Sequence, residues 1–149
     1  LAVHFSATKE YEKARAALEE LMAYDPTNGG IYSKLGYIFM QPDYKLHDDA
    51  KAWTYMEKSL KLLPDNIFAL YNGGVILLKH GNFAQAEKLL VHATELNPLM
   101  ASAWLRAGEA ALFQDKRADA IIRFRRALWL NANQEDAKMY LRKLGVAEQ

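Results

Sequence analysis

Residues 67–98 read IFALYNGGVILLKHGNFAQAEKLLVHATELNP, and the rest of the chain can be aligned on this stretch. Its first half places Leu70, Gly73, Gly74 and Leu77 at i, i+3, i+4 and i+7, the spacing that lines up one stripe of a helix. Its second half repeats that spacing with Ala86, Leu90 and Ala93, and it stops at Pro98, which disfavours helix in the residue before it. Between the halves lies His80-Gly81-Asn82, the composition of a turn. The reading is two short helices joined tightly. Glycine inside a helix costs about 1 kcal/mol relative to alanine, so Gly74 on the apolar stripe implies a neighbour too close for a side chain. The small Ala86 of the second helix is the natural candidate.

Outward from this stretch the pattern recurs. The opening stripe reappears as Tyr32, Leu35, Gly36 and Phe39, and again as Trp104, Ala107, Gly108 and Ala111. The interval from Gly74 to Gly108 equals that from Pro64 to Pro98. The interval from Gly36 to Gly74 equals that from Pro26 to Pro64, and it is longer by four. Each of those prolines follows an alanine (Ala14, Ala52, Ala86) by twelve residues, as Ala132 follows Ala120. Four residues after each alanine stands a large apolar side chain: Leu18, Met56, Leu90 and Phe124. Asp25, Asp65, Asn66 and Asn97 supply turn and cap chemistry at the joins.

This pattern resembles the tetratricopeptide repeat, a helix-turn-helix unit of about 34 residues. The likeness covers nearly the whole chain. It implies an all-α fold, a right-handed α-solenoid of antiparallel helix pairs ending in a closing helix, within a single domain 1–149. Its parts are a partial repeat 1–26, full repeats 29–64, 67–98 and 101–132, and the closing helix 135–144. In the partial repeat the end of a first helix at 1–7 precedes a second helix from Tyr11 to Tyr24. The closing helix turns Ala137, Tyr140, Leu141 and Leu144 inward and stops at Gly145. The second repeat carries four extra residues within Gln41–Asp49, either a tolerated loop or a contact loop, on which Tyr44 and Leu46 are expected to be exposed.

Composition narrows the function. Hydrophobic residues are 51% and charged residues 25%, which suits a folded core and excludes a disordered chain. No apolar run reaches the ~18 residues of a membrane span, so no direct membrane insertion is expected. Net charge is +1 and there is no cysteine, which removes a global field for nucleic acid and any thiolate chemistry. His4, His47, His80 and His92 never pair at helical spacing, and no phosphate loop, zinc motif or nucleophile with its base occurs. The expectations are no enzyme, no cofactor and no metal. His47-Asp48-Asp49 reads as a helix cap. A cytoplasmic setting is expected, and so is self-association through the truncated first repeat.

Charge clusters only at Lys116, Arg117, Arg123, Arg125 and Arg126, read as a solvated outer helix face or a surface for an acidic partner; nucleic acid is disfavoured because stacking aromatics are missing. In the resembled family, ligands lie in a concave groove lined by the first helix of each unit. One step past the core stripe, that selects Ser33, Tyr37 and Met40, then Tyr71, Val75 and Leu78, then Leu105, Glu109 and Leu112. Lys34, Asn72 and Arg106 flank them, and Met139 and Lys143 extend the line from the closing helix. Part of the family clamps the C-terminal carboxylate of chaperone peptides; Asn72 and Arg106 match that clamp, while Ser33, Tyr37 and Ser102 replace its other members. The resemblance therefore implies an adaptor or scaffold for a peptide, helix or partner domain. The alternatives are a chaperone for an apolar segment of a secreted or assembling client and a regulatory domain of a larger enzyme.

Overall fold

The computed structural model describes the backbone of residues 2–149 and the side chains of residues 9–149. Among the described residues the regular structure is helical: α1 Ala2–Tyr24, α2 Gly29–Phe39, α3 Asp49–Leu62, α4 Ile67–Lys79, α5 Phe83–Leu96, α6 Ala101–Leu112, α7 Arg117–Leu130 and α8 Glu135–Lys143. Contacts divide the chain into two compact units, Leu1–Ile76 and Leu77–Gln149.

In the first unit α2 packs on α1 and on α3. Its core gathers Ile38, Phe39, Ala52, Met56, Ala69 and Ile76, with Leu18, Trp53 and Tyr55 against them. The close approach inferred from the glycine stripe is real. A Cβ at Gly36 would lie 2.9 Å from the Ala52 carbonyl oxygen and 3.0 Å from Met56 Cε. Caps match the joins: Asn28 accepts from the Gly30 amide (3.1 Å) and Asp48 from the Lys51 amide (2.9 Å). Asn66 ties three segments together, donating to Ser33 Oγ and Ser59 Oγ and accepting from the Ala69 amide.

Two expectations fail in this unit. α1 runs unbroken to Tyr24, without the division between a stub at 1–7 and a helix from Tyr11. The intervening Ala7-Thr8-Lys9-Glu10 holds neither glycine nor proline, so nothing there interrupts the backbone ladder. Leu1 lies outside the described residues. Tyr44 is the second correction: it is only 2% exposed, its ring edge-on to Tyr11 and Phe39 at 5.9 Å each. Lys45 pairs with Glu12 of α1 at 2.5 Å, so the inserted loop straps α1 down, while Leu46 stays exposed.

The second unit builds its core from α6, α7 and α8, with Leu105, Ala120, Phe124, Ala127, Ala137 and Leu141 buried together. Phe124 stacks on Tyr140 at 4.9 Å. A Cβ at Gly108 would lie 2.7 Å from Phe124 Cδ1, so the glycine here makes room for a ring. Repetition reaches single hydrogen bonds. Tyr32 Oη donates to the Pro26 carbonyl at 2.8 Å, and Trp104 Nε1 donates to the Pro98 carbonyl at 2.9 Å, six residues in each case. Gly81 ends its helix at φ +81°, and Asp115, at the equivalent turn of the next repeat, takes the same left-handed backbone at φ 60°. Gly145, at φ +67°, stops α8.

Candidate functional site

The residues selected for ligand contact fall on α2 and its C-cap Met40, on α4, on α6 and on α8, and the structure sorts them by access. On the first unit Lys34 is exposed, and Met40, Tyr71 and Val75 are half-buried. Tyr37 is 39% exposed and its ring leans on Phe68, 42% exposed, with centroids 5.3 Å apart. Sequence reasoning missed Phe68. It lies one turn before Asn72 on α4, and only the tertiary fold brings it against Tyr37. Asn72, by contrast, is buried and spends its amide on the Phe68 carbonyl at 2.8 Å.

On the second unit Leu105 is buried in the core, and Leu112 is partly buried against it. Glu109 is 5% exposed, so it is no groove lining. It pairs instead with Arg106, whose Nη1 donates to both carboxylate oxygens at 2.8–2.9 Å. Burial and then this carboxylate raise the Tyr140 phenol above its ordinary pKa, which links α6 electrostatically to α8. Asn72 and Arg106, the two matches to the carboxylate clamp, are thus both engaged within the chain. Placing a polar residue on a solvent-facing register does not reveal such pairing, because the partner sits a turn away or on another helix.

The basic cluster needs a larger correction. Arg123 is mostly buried, donating to Glu87 Oε1 at 2.6 Å and to the Ala107 carbonyl at 3.0 Å. Lys116 reaches Glu87 Oε2 at 2.5 Å, and Gln114 donates to the same oxygen at 2.8 Å. Burial alone would raise the Glu87 pKa; the hydrogen bonds from Lys116, Arg123 and Gln114 outweigh it and hold the carboxyl below its ordinary value. Arg117 donates to the Leu144 carbonyl and Arg125 to the Ala147 carbonyl. Arg123 is thus internal bracing, while Lys116, Arg117 and Arg125 make their intramolecular bonds at the surface. No helix among the described residues is long and apolar enough to cross a membrane.

Paired antiparallel helices, a glycine pressed against the partner helix in α2 and in α6, and a proline-bounded period define an all-α helical-repeat fold, the α-solenoid class. In sequence and fold the chain is similar to tetratricopeptide-repeat proteins. No family model matches it. Among curated proteins it is similar to tetratricopeptide repeat protein 21B of Homo sapiens, 31% identical over 131 residues, which are 83% of this chain but 10% of that protein. Among solved structures it is similar to YrrB, described as a TPR protein with an unusual peptide-binding site (TM-score 0.74, 20% identity, 93% of this chain and 69% of that one). It is similar also to MamA of Desulfovibrio magneticus RS-1 (TM-score 0.78, 21% identity, 94% and 80%). A third is the first TPR of Spaghetti (RPAP3) bound to an HSP90 peptide (TM-score 0.72, 24% identity, 81% and 93%).

Proposed function

We propose that the chain is a non-enzymatic protein-interaction module that binds a peptide, helix or partner domain on the exposed faces of its first helices. One observation carries the reading: Tyr37 and Phe68 form an aromatic pair that remains about two-fifths exposed. Aromatic side chains left accessible on a rigid helical face are the residue type that dominates binding energy. Lys34, Met40, Tyr71 and Val75 extend this surface on the first unit; the second unit has candidate contacts of its own in Arg106 and Leu112. Asn72, Leu105 and Glu109 act behind the surface: the first two pack, and Glu109 aims the Arg106 guanidinium. Solved neighbours described as carrying a peptide site or a bound peptide support the same reading.

A photo-crosslinking amino acid placed at Lys34 would capture the partner, and calorimetric titration of the captured segment then tests the face. Tyr37→Ala and Phe68→Ala should each weaken binding about tenfold or more, with helicity unchanged. Lys88→Ala, at an exposed position of α5, should not. Unchanged affinity in both aromatic variants would refute the assignment. Leu21 and Tyr24 are also exposed on α1, and they support self-association through this first helix. Light scattering of Leu21→Ser/Tyr24→Ser should then show a smaller species than the parent chain; equal masses would count against it.

A further inference from the structure

α7 carries two apolar stripes. Ala120, Phe124, Ala127 and Leu128 form the buried one. Ile122 and Trp129 belong to the other, and they are 63% and 72% exposed. The repeat itself does not call for apolar residues there. Counted from Ala52, Ala86 and Ala120, the positions of Ile122 and Trp129 are held by Thr54 and Lys61 on α3, and by Lys88 and Glu95 on α5. All four of those residues are exposed, and all four are polar. Exposed Ile and Trp are therefore peculiar to this repeat, and a stripe of this kind on a folded surface marks an interaction site.

The surroundings say what would cover it. A groove of about 550 Å³ runs along the stripe, and its charged lining is Arg125, Arg126 and Lys138 against the single carboxylate of Glu148. Arg125 is committed to the Ala147 carbonyl and Lys138 to Glu135. Arg126 is different. Its guanidinium lies over the Trp129 ring at 4.4 Å and 6.0 Å from the Trp104 ring, and no hydrogen bond or ion pair holds its N–H groups among the described residues. A cation over a ring face uses no N–H donor, so the donors of Arg126 stay available beside the apolar side chains of Ile122 and Trp129, and a guanidinium receives a carboxylate in two parallel hydrogen bonds.

We propose that this stripe is a second docking surface, distinct from the aromatic face of the first unit, and that it takes an acidic segment of another protein. A carboxylate of the segment pairs with Arg126, and a neighbouring bulky apolar side chain seats between Ile122 and Trp129. Charge complementarity chooses this occupant, since the lining is cationic and Arg126 is its uncommitted cation among the described residues.

The probe is a random twelve-residue peptide library displayed on phage, selected against the whole chain. Counter-selection uses Ile122→Thr/Trp129→Lys, which installs the residues of the second repeat, keeps the positive charge and should fold with unchanged helicity by circular dichroism. Selected peptides should carry Asp or Glu beside an aromatic residue or leucine. Their binding, followed by fluorescence anisotropy, should fall tenfold or more on Ile122→Thr/Trp129→Lys and on Arg126→Gln, weaken with added salt, and ignore Tyr37→Ala. Peptides without acidic residues, no peptide that separates parent from variant, or loss of binding in Tyr37→Ala would overturn the proposal. So would a dimer in sedimentation that Ile122→Thr/Trp129→Lys dissolves, which assigns the stripe to a second copy. Capture by phosphatidylserine vesicles without peptide binding would assign it to a membrane and overturn the proposal equally.

Discussion

Gly108→Ala sets two calculable terms against each other. Alanine should gain about 1 kcal/mol over glycine in a helix interior. The new Cβ would lie 2.7 Å from Phe124 Cδ1 and Cε1, far inside contact distance, so the ring must move. It has nowhere to go: Phe124 is fully buried, and its ring also stacks on Tyr140 at 4.9 Å. Overpacking in a tight core costs about 1–3 kcal/mol, and a ring so confined belongs at the upper end. The net expectation is a loss of about 1–2 kcal/mol, which for a chain of this size lowers Tm by roughly 3–8 °C. Thermal and urea unfolding followed by circular dichroism measure it. Phe124→Leu supplies the internal check. The smaller side chain vacates the space that Cβ needs, so the double variant should be more stable than the two single losses added, by about 1 kcal/mol. A stabilised Gly108→Ala, or losses that simply add, would refute the steric reading of the glycine stripe.

Glu87→Gln should cost about 2–3 kcal/mol at neutral pH, because it leaves Lys116 and Arg123 facing a neutral amide. The folded carboxyl has a lowered pKa, so its stabilisation is present above the unfolded carboxylate pKa and is lost as pH falls through the folded value. The gap in Tm between parent and variant should therefore close on acidification below the ordinary carboxylate range, and a gap that widens there would contradict the network. Tyr44→Ala should cost about 3 kcal/mol in urea unfolding through the cavity left beside Tyr11 and Phe39. Tyr44→Phe should change stability by less than about 1 kcal/mol, since the buried hydroxyl makes no well-formed hydrogen bond and only the Arg15 side chain interacts with it. Asp115→Gly, which relieves a left-handed backbone, should raise Tm by a few degrees (roughly 0.5–1 kcal/mol).

Local order was legible from the chain alone. Glycine on the apolar stripe, a proline closing three of the four periods and asparagine or aspartate at the joins are each statements about backbone geometry a few residues wide, so the pattern placed the helices after Tyr24, their turns and the stop at Gly145. The unbroken α1 escaped because the expected break came from the period of the repeat, and its own residues contain no breaker. Side-chain fate was decided elsewhere. Glu109 and Asn72 sit on registers that look open, and the fold buries both. Arg123 looked solvated, yet its acceptor Glu87 lies 36 residues away on α5. Tyr44 belongs to an insertion that no other repeat contains, and its burial required α1 to lie across the loop. Periodicity determines which face of a helix is apolar. Which polar group on the other face finds a partner depends on distances between elements far apart in sequence, and only the packed helices establish those.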